Sequence, residues 1–227
     1  MNYLTLVNSV LRRLRESEVT SASGVDGGVS ADGSTAYSKL VGDFVNDAKR
    51  MVEDAWDWSG LRHTITVETV ASTYSYGLTG VGTAFKLLDA VNDTSNSWLQ
   101  HQSSSWMNNK FLLGEAPSSS PTHYSWNGFD ATSGNAIVDV YPIPDGVYNL
   151  KFNIVNRTGQ FEDDTGHVLG VPSAPVIAYA VALASRERGE TGGPSSQELF
   201  ALADACLADA IAMDAARFPT ETIWYAV

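Results

Sequence analysis

Apolar positions recur at helical spacing from the start of the chain. Leu4, Val7, Leu11 and Leu14 repeat at three and four residues, with Tyr3 and Val10 widening the stripe, so residues 1–16 predict a helix. Arg12, Arg13 and Arg15 stand near its C-terminal end, where cations suit the helix dipole. Gly24, Gly27, Gly28 and Gly33 among Ser and Asp residues then predict a mobile loop over 21–34. A second helix is expected from about Thr35 to Trp58. Its apolar face carries Tyr37, Leu40, Val41, Phe44, Val45, Ala48, Met51, Val52 and Ala55. The other face carries Lys39, Asp43, Asp47, Lys49, Arg50, Glu53 and Asp54, so it is wet or meets a polar partner.

From Leu61 the period changes to two. Ile65, Val67 and Thr69 alternate with polar residues, Tyr74, Tyr76 and Leu78 repeat the pattern, and Phe85–Val91 reads as a third strand. The clearest hairpin signal lies between Ala136 and Val155, with Pro142-Ile143-Pro144-Asp145-Gly146 as its turn. Between these, Trp98 to Asp130 reads as short strands joined by long loops. Helical signals return after Pro172. Ser173 can cap a helix that Gly189 ends, and Ser195 with Glu198 forms a capping box for a last helix. That helix would present Leu199, Leu202, Ala203, Cys206, Ala210 and Met213 inward. Both C-terminal helices are alanine-rich, which lets their axes approach as an antiparallel pair. Arg217-Phe218-Pro219 stops the second, and Thr220–Val227 alternates like a strand with two aromatic residues.

The expected fold is therefore α+β: a four-helix bundle of two N-terminal and two C-terminal helices, with an inserted, mainly antiparallel β-domain and an extended C-terminal arm. The boundaries fall at 1–60 for the first half of the helical domain, 61–165 for the β-domain, 166–217 for the second helical half and 218–227 for the arm.

Composition narrows the function. The 227 residues are 44% hydrophobic, as in an ordinary globular chain. Fourteen basic against 26 acidic residues give a net charge of -12, which repels phosphate backbones and argues against a general nucleic-acid binder. A single cysteine, Cys206, excludes an intramolecular disulfide framework and fits a reducing compartment or a disulfide-free assembly. No apolar run reaches the length of a membrane span, and the arginines follow the first apolar stretch instead of preceding it, unlike a secretory signal.

No catalytic site, metal site or cofactor loop is expected. His63, His101, His123 and His167 are scattered without ligand spacing, and Cys206 reads as a small buried hydrophobe. Gly80-Val81-Gly82 lacks the third glycine of a dinucleotide loop, and Glu162-Asp163-Asp164 lacks the rest of a calcium loop. Asp43 and Asp47 lie on a helix surface with no pocket signature. Arg12, Arg13 and Arg15 either meet a phosphate or an acidic partner, or compensate the helix dipole. Trp98, Trp106, Tyr124 and Trp126 either stack on sugars or form core and interface. The apolar arm either folds back or docks on a neighbour by strand addition or groove filling.

Several stretches together carry a family likeness. They are Tyr3-Leu4-x-Leu6-Val7-Asn8-x-Val10-Leu11-Arg12-Arg13-Leu14-Arg15, Tyr37 to Arg50, Glu53-Asp54-Ala55-Trp56-Asp57-Trp58, Val140 to Gly146, Glu187-Arg188-Gly189-Glu190 and Arg217-Phe218-Pro219-x-Glu221-Thr222-x-Trp224. In these the chain resembles the head-to-tail adaptors of tailed phages, of the kind called tail tubular protein A in short-tailed phages. The resemblance implies a non-enzymatic virion protein, assembled in the host cytoplasm, that forms a dodecameric ring beneath the portal protein. It implies that the helical part builds the ring, that the β-domain faces a downstream tail protein of the nozzle or tail tube, and that DNA passes without sequence-specific binding. Portal contacts would fall on Phe218, Pro219, Ile223, Trp224, Tyr225 and Val227, and Arg12, Arg13 and Arg15 would face another subunit or the DNA channel. The alternative is a glycan-binding β-module carried by the four aromatic residues above. A hydrolase with an unrecognised site has only the scattered His and Asp residues behind it.

Overall fold

The computed structural model describes residues 1–20, 36–81, 84–161, 168–189 and 196–217. The loop at 21–34, His167, Glu162-Asp163-Asp164, Ser195 and the arm at 218–227 lie outside the described residues. The chain divides into two compact units, one from Met1–Leu61 with Thr158–Val227, the other from Arg62–Arg157.

The first unit is helical. Helix α1 (Tyr3–Arg13) starts at Asn2, whose side chain accepts a hydrogen bond from the Thr5 amide at 3.0 Å. Its buried face is Tyr3, Leu6, Val7, Val10 and Leu11. Helix α2 (Ala36–Ala55) buries Val41, Val45, Ala48 and Val52. The buried face extends to Asn46, Lys49 and Glu53, whereas Met51 and Ala55 are exposed, so the helix is turned toward its polar side relative to the expected stripe. Gly42 lets Tyr3 approach, since a Cβ there would stand 2.3 Å from the Tyr3 hydroxyl oxygen. Helix α4 (Ser173–Arg188) follows Pro172, which supplies no side-chain cap, and ends at Gly189 in the left-handed region, φ 62°. Ser173 is thus the first helical residue and not the cap. Helix α4 packs against α1, α2 and the last helix, α5 (Ser196–Ala215).

The second unit contains β1 (Arg62–Glu68), β2 (Ser75–Leu78), β3 (Phe85–Asn92), β4 (Ser97–Trp98), β5 (Gln100–His101), α3 (Ser104–Leu112), β6 (His123–Phe129), β7 (Ala136–Tyr141) and β8 (Asn149–Asn156). Two four-stranded sheets form, in the orders β1-β8-β3-β4 and β2-β7-β6-β5, with β5 and β6 parallel and the other pairs antiparallel. Leu78, Tyr124, Val138 and Val140 of one sheet share a core with Ala90, Leu150, Phe152 and Ile154 of the other. Alternation on each strand puts these residues on the inner faces.

Two expectations are overturned. The protein is not a four-helix bundle with an inserted domain: its described residues form five α-helices and two four-stranded sheets. A bundle needs every helix to bury a stripe against its neighbours, and α5 buries only Ala203 and Asp214 fully. The second correction concerns the hairpin. β7 pairs with β2 and β6, and β8 pairs with β1 and β3, so the two strands belong to different sheets. Pro142 and Pro144 offer no amide to a ladder, and Ile143 is instead bound by Pro117 and Ser119. The chain therefore crosses between sheets at 142–148. Helix α3 lies where loops were expected, its Ser103 hydroxyl accepting from the Trp106 amide at 3.2 Å.

Candidate interaction surfaces

The basic group at the end of α1 is held by a folded-back segment. Asn8 exchanges two 2.9 Å hydrogen bonds with the backbone of Val19, which is buried. Arg188 donates to the Glu16 carboxylate and lies 4.2 Å from the Tyr37 ring centroid. Arg12 pairs with Glu18 at 3.3 Å, while Arg13 and Arg15 are exposed; Arg15 sits at φ 58° in the turn. Cations in the last turn of α1 meet its carbonyl end, as the dipole favours.

The polar side of α2 has a buried task. Lys49 Nζ donates to the Thr158 and Gly159 carbonyls at 2.9 and 2.8 Å and lies 3.1 Å from Glu53. Thr158 Oγ1 donates to Glu53 at 2.6 Å, and the Asn46 carboxamide pairs with the backbone of Phe161. Burial draws the Lys49 pKa below the usual lysine value against the opposing pull of Glu53. These contacts fasten residues 158–161 to the helix.

The end of α5 is fastened too. Ser59 donates from its amide (3.0 Å) and hydroxyl (2.6 Å) to Asp214, and Arg217 lies 3.4 Å from the same carboxylate. Burial would raise the Asp214 pKa, but the Ser59 hydrogen bonds, with Arg217, carry it below the ordinary value. The chain position from which residues 218–227 depart is therefore anchored. Higher on the same helix, Asp204 accepts from the Tyr179 hydroxyl, whose pKa is pushed up to about 12 by burial and by that carboxylate.

The β unit carries a different kind of surface. Ser72 N donates to Pro144 O at 2.9 Å, Ile143 N to Pro117 O at 3.1 Å and Asn149 N to Thr94 Oγ1 at 2.9 Å. These bonds gather four loops at the end of the sandwich opposite Arg62 and Asn156. Val70, Tyr74, Leu112, Leu113 and Val147 are exposed there, the two leucines by 77% and 80%. Exposed apolar side chains at one end of a domain are suited to contact surfaces. Leu112 and Leu113 went unnoticed in the sequence because α3 was unrecognised.

Of the four aromatic residues read as either a sugar platform or core and interface, Tyr124 and Trp126 meet edge-on at 6.0 Å. Tyr124 is buried in the core, and Trp126 packs edge-on against Phe85 at 5.0 Å. Trp106 stacks near His123 at 5.0 Å on α3, and Trp98 stands exposed on β4. An apolar cleft of about 290 Å³ lies along Phe85, Leu87, Trp126, Gly128, Phe129 and Ala136, with one of the four proposed residues in its wall. His63 and His101 are exposed and His123 is half-buried on separate strands, and among the described residues no cluster of three or more His, Cys, Asp or Glu could hold a metal. Asp43 and Asp47 remain on the surface of α2, and Cys206 is half-buried rather than enclosed. No described helix is long and apolar enough to cross a membrane.

Residues 1–222 match the family of SU10 adaptor proteins. The chain belongs to the SU10 adaptor protein family. It is a phage adaptor, a structural component of the virion. No curated protein matches it, and the narrower likeness to tail tubular protein A gains no support. For an adaptor, the functional sites are contact surfaces.

Proposed function

We propose that the protein is a non-enzymatic head-to-tail adaptor that forms a ring below the portal, joins the capsid to the tail and lines the channel for DNA. The family match across residues 1–222 carries this reading. The portal contacts fall on Phe218, Pro219, Ile223, Trp224, Tyr225 and Val227. An aromatic-rich apolar segment following a fixed root suits docking into a partner's groove, with Trp and Tyr as anchors. The exposed Val70, Tyr74, Leu112, Leu113 and Val147 suit the downstream tail protein. A net charge of -12 per copy gives a conduit that repels DNA and lets it slide. The ring is dodecameric in this reading, built from head-to-tail contacts.

Deleting residues 218–227 tests the portal contact. The truncated chain is expected to keep its circular dichroism and melting temperature and to lose co-sedimentation with portal rings. Portal binding undiminished by the truncation refutes the arm assignment.

A further inference from the structure

We propose that the outward face of α5 is a subunit interface whose occupant is the arginine-rich end of α1 in a second copy of this chain. The proposal rests on the ring reading above and assigns its contact.

Helix α5 presents an uncovered apolar flank. Ala201, Ala205, Ala208 and Ala212 fall opposite the buried Ala203 and are all exposed, as helical geometry requires of residues at those offsets. Leu202 and Met213 border them and are 64% and 74% exposed. The small side chains leave a flat surface that a second element can approach closely.

Charge identifies the occupant. Between Ser196 and Ala215 the helix carries Glu198, Asp204, Asp209 and Asp214 and no basic residue. Asp214 is consumed by Ser59 and Arg217 and Asp204 by Tyr179, whereas Asp209 is exposed beside the alanine stripe. Helix α1 has the reverse balance: Arg12 and Arg13 in its last turn, Arg15 just beyond, and no acid within it. Glu18 takes Arg12, leaving Arg13 and Arg15 directed to solvent. In a chain with 14 basic and 26 acidic residues, an exposed arginine group is scarce, and it complements an acidic apolar helix. Helix α1 packs on α2 and α4, so the two patches lie on different elements. Pairing the basic patch of one copy with the acidic patch of the next leaves the first its acidic patch free and the second its basic one. Such a contact propagates from copy to copy and makes a ring where its rotation closes, whereas a self-matching patch would stop at a dimer.

Two charge-reversed full-length proteins test this: Arg13→Glu with Arg15→Glu, and Asp209→Lys. Sedimentation velocity is measured for each alone, for the wild type and for an equimolar mixture, with circular dichroism confirming that each is folded. The wild type is expected to self-associate, more strongly at low salt. Each variant alone should associate about tenfold more weakly or worse, because like charges now meet. The mixture should recover association, since each variant supplies the sign the other lacks. Variants that associate like the wild type, or a mixture that fails to recover, overturn the interface. A wild type that stays monomeric at every concentration overturns it also, and so does association that appears only after residues 218–227 are removed, which would place those residues on the face. The portal-binding test stands apart from all these outcomes and separately decides the adaptor reading.

Discussion

Helices α4 and α5 are both alanine-rich, and neither has a marked apolar stripe, yet they live in opposite surroundings. Helix α4 buries Val176, Ile177, Tyr179, Ala180, Ala182 and Ala184 against three other helices. Helix α5 packs chiefly on α4 and keeps its other side open. A helix that is apolar on every side must be enclosed or must await a partner. In α4 the alanines are what close packing on several sides demands. In α5 the same residue type makes a flat surface that no described residue covers. Uniform composition thus conceals the difference between core and interface, and the charges decide it: α5 keeps Asp209 exposed beside its alanines, whereas Arg186 and Arg188, the basic residues of α4, are confined to its last turn.

The contrast can be broken by adding volume to each helix. Ala180→Leu inserts three carbon atoms where α4 has no free space, and it should lower the unfolding free energy by about 1–3 kcal/mol in urea denaturation. An unchanged midpoint would show that the α4 surroundings are loose.

An effect of similar size is expected at the foot of α5. Asp214→Asn removes a charged acceptor of two Ser59 hydrogen bonds and should cost about 1.5–3 kcal/mol at neutral pH, measured the same way. The folded-state pKa of Asp214 lies below its unfolded value, so its stabilisation is present above the unfolded pKa and is lost as pH falls through the folded one. The difference between wild type and Asp214→Asn should therefore shrink below about pH 4. A difference that stays constant from pH 7 to pH 3 contradicts the ionised hydrogen bond.

The least effect sharpens the comparison most. Ala208→Leu on the open flank of α5 should change the stability of the dilute chain by no more than about 0.5 kcal/mol. A loss as large as that of Ala180→Leu would mean that the chain itself covers this side.

Local signals in the sequence were legible where local physics decides. The apolar spacing that predicts α1, the glycine that ends α4 and the alternation of β1, β2 and β3 all appear in the structure close to their expected positions. Pairing was not legible. Val138 and Phe152 look like the two arms of a hairpin, but each strand finds partners from distant parts of the chain, Ser75–Leu78 and Arg62–Glu68 among them. Lys49 and Glu53 lie on a face that the sequence leaves either wet or against a polar partner; the structure shows the partner, Thr158 and Gly159, which local spacing cannot name because it lies about a hundred residues away. Helix α3 hid behind the serines at 103–105, which read as loop although Ser103 is a cap. Leu202 and Met213 were expected inward with Ala203; the helix turns instead so that Asp214 reaches Ser59. The adaptor reading came from ordered stretches across the chain and not from any single site.

The most direct test of the whole account is the mass of the protein alone and after mixing with its portal, by light scattering, with electron microscopy of the mixture. The account predicts a ring of this chain seated on the portal. A protein whose mass is indifferent to the portal, with no ring in the images, would contradict it.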